Sequence, residues 1–106
     1  MNNFGLKSED ILYIVNVLSA YREVEKALIF GSRAMGNTKK GSDVDIAIFG
    51  QGIDFRLTAH IHSILEDESP MPYFFDIVDF KNIENQELKN HITEFGKEIY
   101  SRDSQG

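Results

Sequence analysis

Residues 28–50 read LIFGSRAMGNTKKGSDVDIAIFG, two apolar runs separated by a polar stretch punctuated with glycines. The first run, Lys26-Ala27-Leu28-Ile29-Phe30, is short, apolar and stopped by Gly31, which at that length predicts a buried strand rather than a helix. The second run alternates. Val44, Ile46 and Ile48 occupy one set of positions, with Asp43, Asp45 and Ala47 on the other, before Gly50 and Gly52 break the chain. A second strand therefore carries carboxylates on one face. The intervening residues, from Ser32 to Lys40, leave room for about one helical turn at 32–35.

Outward from this centre the periodicity changes. Upstream, Ser8 is placed to cap a helix with Glu9 and Asp10 in its first turn, and Ile11, Leu12, Ile14, Val15 and Leu18 form one apolar stripe over 9–22. Downstream, Phe55, Leu57, Ile61, Ile64 and Leu65 predict a helix over 54–67 that must end before Pro70 and Pro72. Residues 73–80, YFFDIVDF, form a third strand with Phe74, Asp76 and Val78 on one face and Phe75, Ile77 and Asp79 on the other. Leu88, Ile92, Phe95 and Ile99 step at helical spacing and predict a closing helix over 85–100. The expected order is αβαβαβα. It implies an α/β (α+β) domain with a small three-stranded mixed sheet, helices packed mainly on one face and the other face left bare. The whole chain, 1–106, is expected to be a single domain with frayed ends at 1–7 and 101–106.

Composition narrows the function classes. Lys and Arg number 11 against 17 Asp and Glu, a net charge of −6, so non-specific binding to a nucleic-acid backbone is not expected. The absence of cysteine removes disulfide scaffolds, thiol nucleophiles and Cys-based zinc sites. No run is apolar enough for a membrane span, and the start MNNFGLKSED lacks the features of a secretory signal, which points to the cytoplasm.

Asp43 and Asp45 lie at i and i+2 of a strand, so their side chains share a face and repel unless a cation sits between them. A hard divalent ion such as Mg²⁺ suits two or three such carboxylates, with Asp76 as the third. The pair taken alone also fits a bland account, in which Asp43 caps the strand and Asp45 faces water. An EF-hand is excluded, because Ala47 and Ile48 stand where a further oxygen ligand and a glycine are needed. Gly31 and Gly36 have the spacing of a P-loop, but Asn37-Thr38 replaces its Lys-Ser/Thr. What remains is a strand ending in Gly-Ser, where free N–H groups and a hydroxyl hold phosphate oxygens. His60 and His62 diverge on a helix and do not share a metal, and His91, beside the stripe of the last helix, reads as a packing residue. Phe74 and Phe75 read as core, with base stacking as the alternative for the aromatic cluster at 73–75.

In combination these features are specific. Gly31-Ser32, ten residues, Asp43-x-Asp45 and an aspartate in a later hydrophobic strand together resemble the signature of the polymerase-β-type nucleotidyltransferase superfamily. Over residues 27–79 the chain is similar to its smallest members, the minimal nucleotidyltransferase (MNT) proteins. The resemblance implies the nucleotidyltransferase fold, with Asp43 and Asp45 binding two Mg²⁺ ions. Asp76 completes the site, and Asp79 is the competing third ligand. It further implies that Gly31 lets the backbone approach the triphosphate of ATP, that Ser32 bonds a β- or γ-phosphate, and that Arg33 makes a secondary phosphate contact. A surface arginine paired with an acid is the alternative for Arg33.

MNT proteins are typically paired with helical HEPN toxins, and the resemblance implies an antitoxin that transfers AMP from ATP to a tyrosine hydroxyl of such a partner. Homodimerisation is compatible with it. Two other functions stay open: a catalytically silent antitoxin acting by contact, and a nucleotidyltransferase for a small-molecule acceptor.

Overall fold

A computed structural model describes residues 4–36 and 43–102. Its elements are α1 (Ser8–Ser19), β1 (Lys26–Phe30), β2 (Val44–Phe49), α2 (Phe55–Ser63), β3 (Phe75–Asp79), α3 (Gln86–Phe95) and β4 (Lys97–Ser101). A wide helical turn at Ile64–Glu68 extends α2, and a short tight one at Phe80–Asn82 follows β3.

The four strands form one mixed sheet in the order β3-β2-β1-β4. Strand β1 runs antiparallel to both β2 and β4, whereas β2 and β3 are parallel, joined through α2. Ala27, Ile29, Val44, Ile46, Ile48 and Phe75 point to one face, where they pack with Ile14 and Leu18 of α1 and Ile61 of α2. Phe30 and Ala47 point to the other, where the fully buried Ile92 of α3 covers them. Two α-helices thus share one face, and the third lies on the face that the sequence reading leaves bare.

The local signals explain most element boundaries. Asp54 caps α2 by accepting the Leu57 N–H at 2.9 Å, and Asn85 caps α3 by accepting the Leu88 N–H at 3.1 Å. At α1 the cap is one residue earlier than expected: Lys7 holds the cap position and its N–H donates to the Asp10 carboxylate at 3.3 Å, so Ser8 lies within the first turn.

Two expectations are corrected, the closing helix and the order of elements. The closing helix over 85–100 stops at Phe95, and Ile99 belongs to a fourth strand instead of to the helical stripe. Gly96 is the cause: its N–H bonds the Ile92 carbonyl at 2.8 Å, and a Cβ there would run into that carbonyl and stand 2.9 Å from Leu28 Cδ1. Glycine lets the end of α3 press onto β1 and turn directly into β4. The single helical turn with room at 32–35 forms, with Met35 N–H donating to the Gly31 carbonyl at 3.3 Å, but it does not extend into a helix that counts as an element. The order is therefore αββαβαβ among the described residues. Within the stretches expected to fray, Leu6 is buried in the core and Arg102 donates to the carbonyls of Ser19, Val24 and Tyr21, while residues 1–3 and 103–106 lie outside the described residues. Lys39, Lys40, Gly41 and Ser42, which the sequence reading places in a polar loop, lie outside the described residues.

Candidate active site

The antiparallel pairing sets Phe30 opposite Asp45, so Gly31, the next residue, arrives directly against the Asp45 side chain. Gly31 has φ +76°, and a Cβ there would overlap the Asp45 carboxylate. Any other residue would be strained in backbone and would displace the acid. Ser32 follows in the turn, exposed.

The parallel register sets Asp45 opposite Asp76 on β3. Both are on the sheet face that carries α3, since Ala47 and Val78, two residues on from each, pack in the cluster around Ile92. Asp43, just before β2, is exposed beside them. Asp79 is elsewhere: opposite Ile48, its Oδ2 accepts from Asn82 Nδ2 at 2.7 Å and stands 3.7 Å from Lys81 Nζ. The register thus joins Asp76, and not Asp79, to Asp45.

The electrostatics follow from this crowding. Burial first, and then the carboxylates of Asp76 and Asp43, hold the Asp45 carboxyl above the usual aspartate value, while the Arg33 guanidinium pulls the other way. Among the described residues no three carboxylates or imidazoles converge closely enough to enclose one ion. The donor chemistry of the three acids nevertheless suits a hard divalent cation, which relieves the mutual repulsion felt at Asp45.

Arg33 is buried, contrary to the surface ion pair considered for it. Its Nη1 donates to the Phe4 carbonyl at 2.7 Å and its Nε to the Asp43 carbonyl at 3.2 Å, and the guanidinium lies 4.8 Å from the Tyr73 ring centre. It braces the backbone of the first acidic residue from beneath. Tyr73 is partly buried and Phe75 fully so, but Phe74 is 70 % exposed, on the same side of β3 as Asp76, rather than core.

His91 is the residue that sequence reading misses. Its Nε2 accepts the Gly31 N–H at 3.0 Å. Position on α3 beside Ile92 marks it as facing the protein, but nothing local identifies a partner 60 residues away. The other histidines behave as expected of separate helix residues, His60 bonding Tyr21 at 3.2 Å and His62 pairing with Glu66 at 2.8 Å. A cavity of about 420 Å³ between the start of α1 and Pro70–Tyr73 contains none of the three acids. Among the described residues, no helix is long and apolar enough to cross a membrane.

Comparison with known proteins agrees with this fold. No curated protein matches the chain significantly. Among solved structures, one described as a toxin-antitoxin with AMP-PNP superposes with a TM-score of 0.72 at 19% identity, over 94% of this chain and 77% of that one. Another, a tri-AMPylated Shewanella oneidensis HEPN toxin in complex with MNT antitoxin, gives 0.72 at 17% identity, over 94% and 76%. A nucleotidyltransferase structure from Sulfolobus solfataricus gives 0.52 at 18% identity, over 93% of each chain. At these identities the likeness is one of fold. The family model for polymerase beta and nucleotidyltransferases matches residues 13–105, nearly the whole chain, and the chain belongs to that nucleotidyltransferase family.

Proposed function

We propose that this protein is a Mg²⁺-dependent adenylyltransferase that moves AMP from ATP onto a hydroxyl of a helical HEPN-type partner, most simply a tyrosine, and thereby acts as its antitoxin. The observation that carries this reading is the pairing of Asp45 with Asp76 beneath the Gly31-Ser32 turn, in a chain of this family. Acids that repel one another have no use in a surface that works by contact alone.

Asp43 and Asp45 would hold two Mg²⁺ ions, with Asp76 as a further ligand to one of them. Such ions, when bound, favour ionisation of the acceptor hydroxyl and neutralise charge on the departing pyrophosphate. The remaining work falls to the chain. Gly31 keeps the turn close to Asp45 without a side chain in the way of the triphosphate, and the exposed Ser32 hydroxyl donates to a β- or γ-phosphate oxygen. Asp76 takes the proton from the acceptor hydroxyl, whose oxygen bonds the α-phosphorus as the bond to the β-phosphate oxygen breaks and pyrophosphate leaves. Arg33, engaged with Phe4 and Asp43, acts on the site by holding the Asp43 backbone rather than by touching phosphate. The partner and the nucleotide are supported by the toxin-antitoxin neighbours, one with AMP-PNP and one with an AMPylated HEPN toxin. A cytoplasmic location fits a partner of that kind.

The test is to co-purify the protein with the helical protein encoded beside it, add Mg²⁺, and compare transfer from α-labelled and γ-labelled ATP. α-Label on the partner, absent with Asp45→Asn and Asp76→Asn, is expected. γ-Label alone means phosphorylation, and no label from an intact complex leaves an antitoxin that acts by binding.

A further inference from the structure

The glycine turn is held from outside the sheet. The Gly31 N–H lies just past the last paired residue of β1, and a half-buried N–H without an acceptor is costly. His91 Nε2 supplies that acceptor at 3.0 Å. An accepting Nε2 carries no proton, so the ring's proton is on Nδ1. The imidazole is packed between ring contacts: the Phe30 ring meets it edge-on with centroids 6.2 Å apart, and the Phe95 ring lies tilted to it at 5.4 Å. Its helix is in turn fixed by the fully buried Ile92 against Phe30 and Ala47. One line of contacts therefore runs from α3 through His91 and Gly31 to the Asp45 carboxylate, against which Gly31 is packed without room for a Cβ.

We propose that His91 is a positioning residue for nucleotidyl transfer: by accepting the Gly31 N–H, its Nε2 holds the Gly31-Ser32 turn against Asp45 and aims the Ser32 hydroxyl at the triphosphate. The inference rests on the proposed function and adds a role for α3, which a strand-and-loop description of the site leaves out. It also commits the Gly31 N–H to the protein, so the phosphate contact at this turn falls to Ser32.

Two substitutions separate positioning from packing. In His91→Gln the side-chain oxygen reaches the place of Nε2 and can accept the same N–H; in His91→Asn the amide is too short. Two readouts are used. Nuclear magnetic resonance of the full chain reads the ¹⁵N–¹⁵N coupling across the Gly31–His91 bond in wild type and the exchange rate of the Gly31 amide in each variant. Transfer from α-labelled ATP to the co-purified partner gives kcat and KM. The coupling is expected in wild type, with the Gly31 amide protected in H91Q and exposed to exchange in H91N. The kcat of H91N should fall by roughly tenfold or more, the scale of an unsatisfied buried donor, with KM for ATP raised as Ser32 loses its aim and H91Q close to wild type. Absence of the coupling overturns the proposal whether or not H91N folds. So does a wild-type kcat in folded H91N, or a kcat that falls equally in H91Q with its Gly31 amide still protected. A wild type that transfers no label refutes the enzymatic function instead, and with it the catalytic part of this role, while the coupling and exchange still report the contact.

Discussion

Alanine at Gly31 should damage this protein in a way that alanine at Gly36 does not, and the pair makes a controlled experiment. Both glycines have left-handed backbones, with φ +76° and φ +80°. For an L-residue that conformation costs about 1–2 kcal/mol. The less flexible unfolded chain returns about 0.4–1 kcal/mol of it. At Gly36 nothing more is added, because a Cβ there meets no described atom within 4 Å. Gly36→Ala should therefore lose about 1 kcal/mol of stability, by that arithmetic, and transfer label at nearly the wild-type rate. At Gly31 the Cβ would overlap the Asp45 carboxylate, and relief to ordinary carbon contact moves the acid or the turn by about 1 Å. A displacement of that size at reacting groups costs about 100-fold in rate. Urea unfolding gives the stability of each variant, and the initial rate of α-label transfer to the co-purified partner gives the second number. Equal rates for the two variants would refute the argument that the glycine is needed for its closeness to Asp45 rather than for its backbone conformation alone.

Three further outcomes follow from the packing and the charges. Asp45→Asn should raise the melting temperature in chelator at neutral pH. The carboxyl is held above its ordinary 3.8, so its contribution to stability is present below 3.8 and is lost as pH rises through the raised folded value. The gain should shrink as pH falls toward 3.8, and a melting temperature unchanged throughout would remove the burial of this charge, and with it the repulsion from Asp76 and Asp43, as a force in the fold. Ile92→Ala, at a fully buried site, should cost about 2–5 kcal/mol in urea unfolding, and a loss under about 1 kcal/mol would mean that α3 is not anchored there. Arg33→Lys should lower stability by about 1–3 kcal/mol, since a single ammonium cannot reach both carbonyls and stack on Tyr73, and should leave KM for ATP nearly unchanged. Undiminished stability with a raised KM would instead return Arg33 to the phosphate contact that its place in the motif suggests.

What could be read from the chain before folding was whatever depends on near neighbours. Strand β1 stops at Gly31 and β2 alternates carboxylates with aliphatics because period-two geometry and glycine's freedom act within a few residues. The same locality misled at the end of the chain. Leu88, Ile92, Phe95 and Ile99 satisfy a helical period, but Gly96 ends the helix and β1 offers Lys97–Ser101 an open edge to pair with. Hydrogen bonding to a strand more than sixty residues earlier outweighed a period that the local sequence could support.

The site divides along the same line. Asp43 and Asp45 share a face by spacing alone, and the resemblance favours Asp76 over Asp79, whereas the parallel register that sets Asp76 opposite Asp45 and turns Asp79 toward Asn82 and Lys81 is a property of the folded chain. The inward turn of Arg33 beneath Asp43, and the bond from Gly31 to His91, likewise needed folded neighbours far along the chain. Backbone period and turn chemistry are written residue by residue. Which buried donor finds which acceptor is decided only when helices and strands are packed together, because that choice belongs to the three-dimensional contact and to no stretch of sequence.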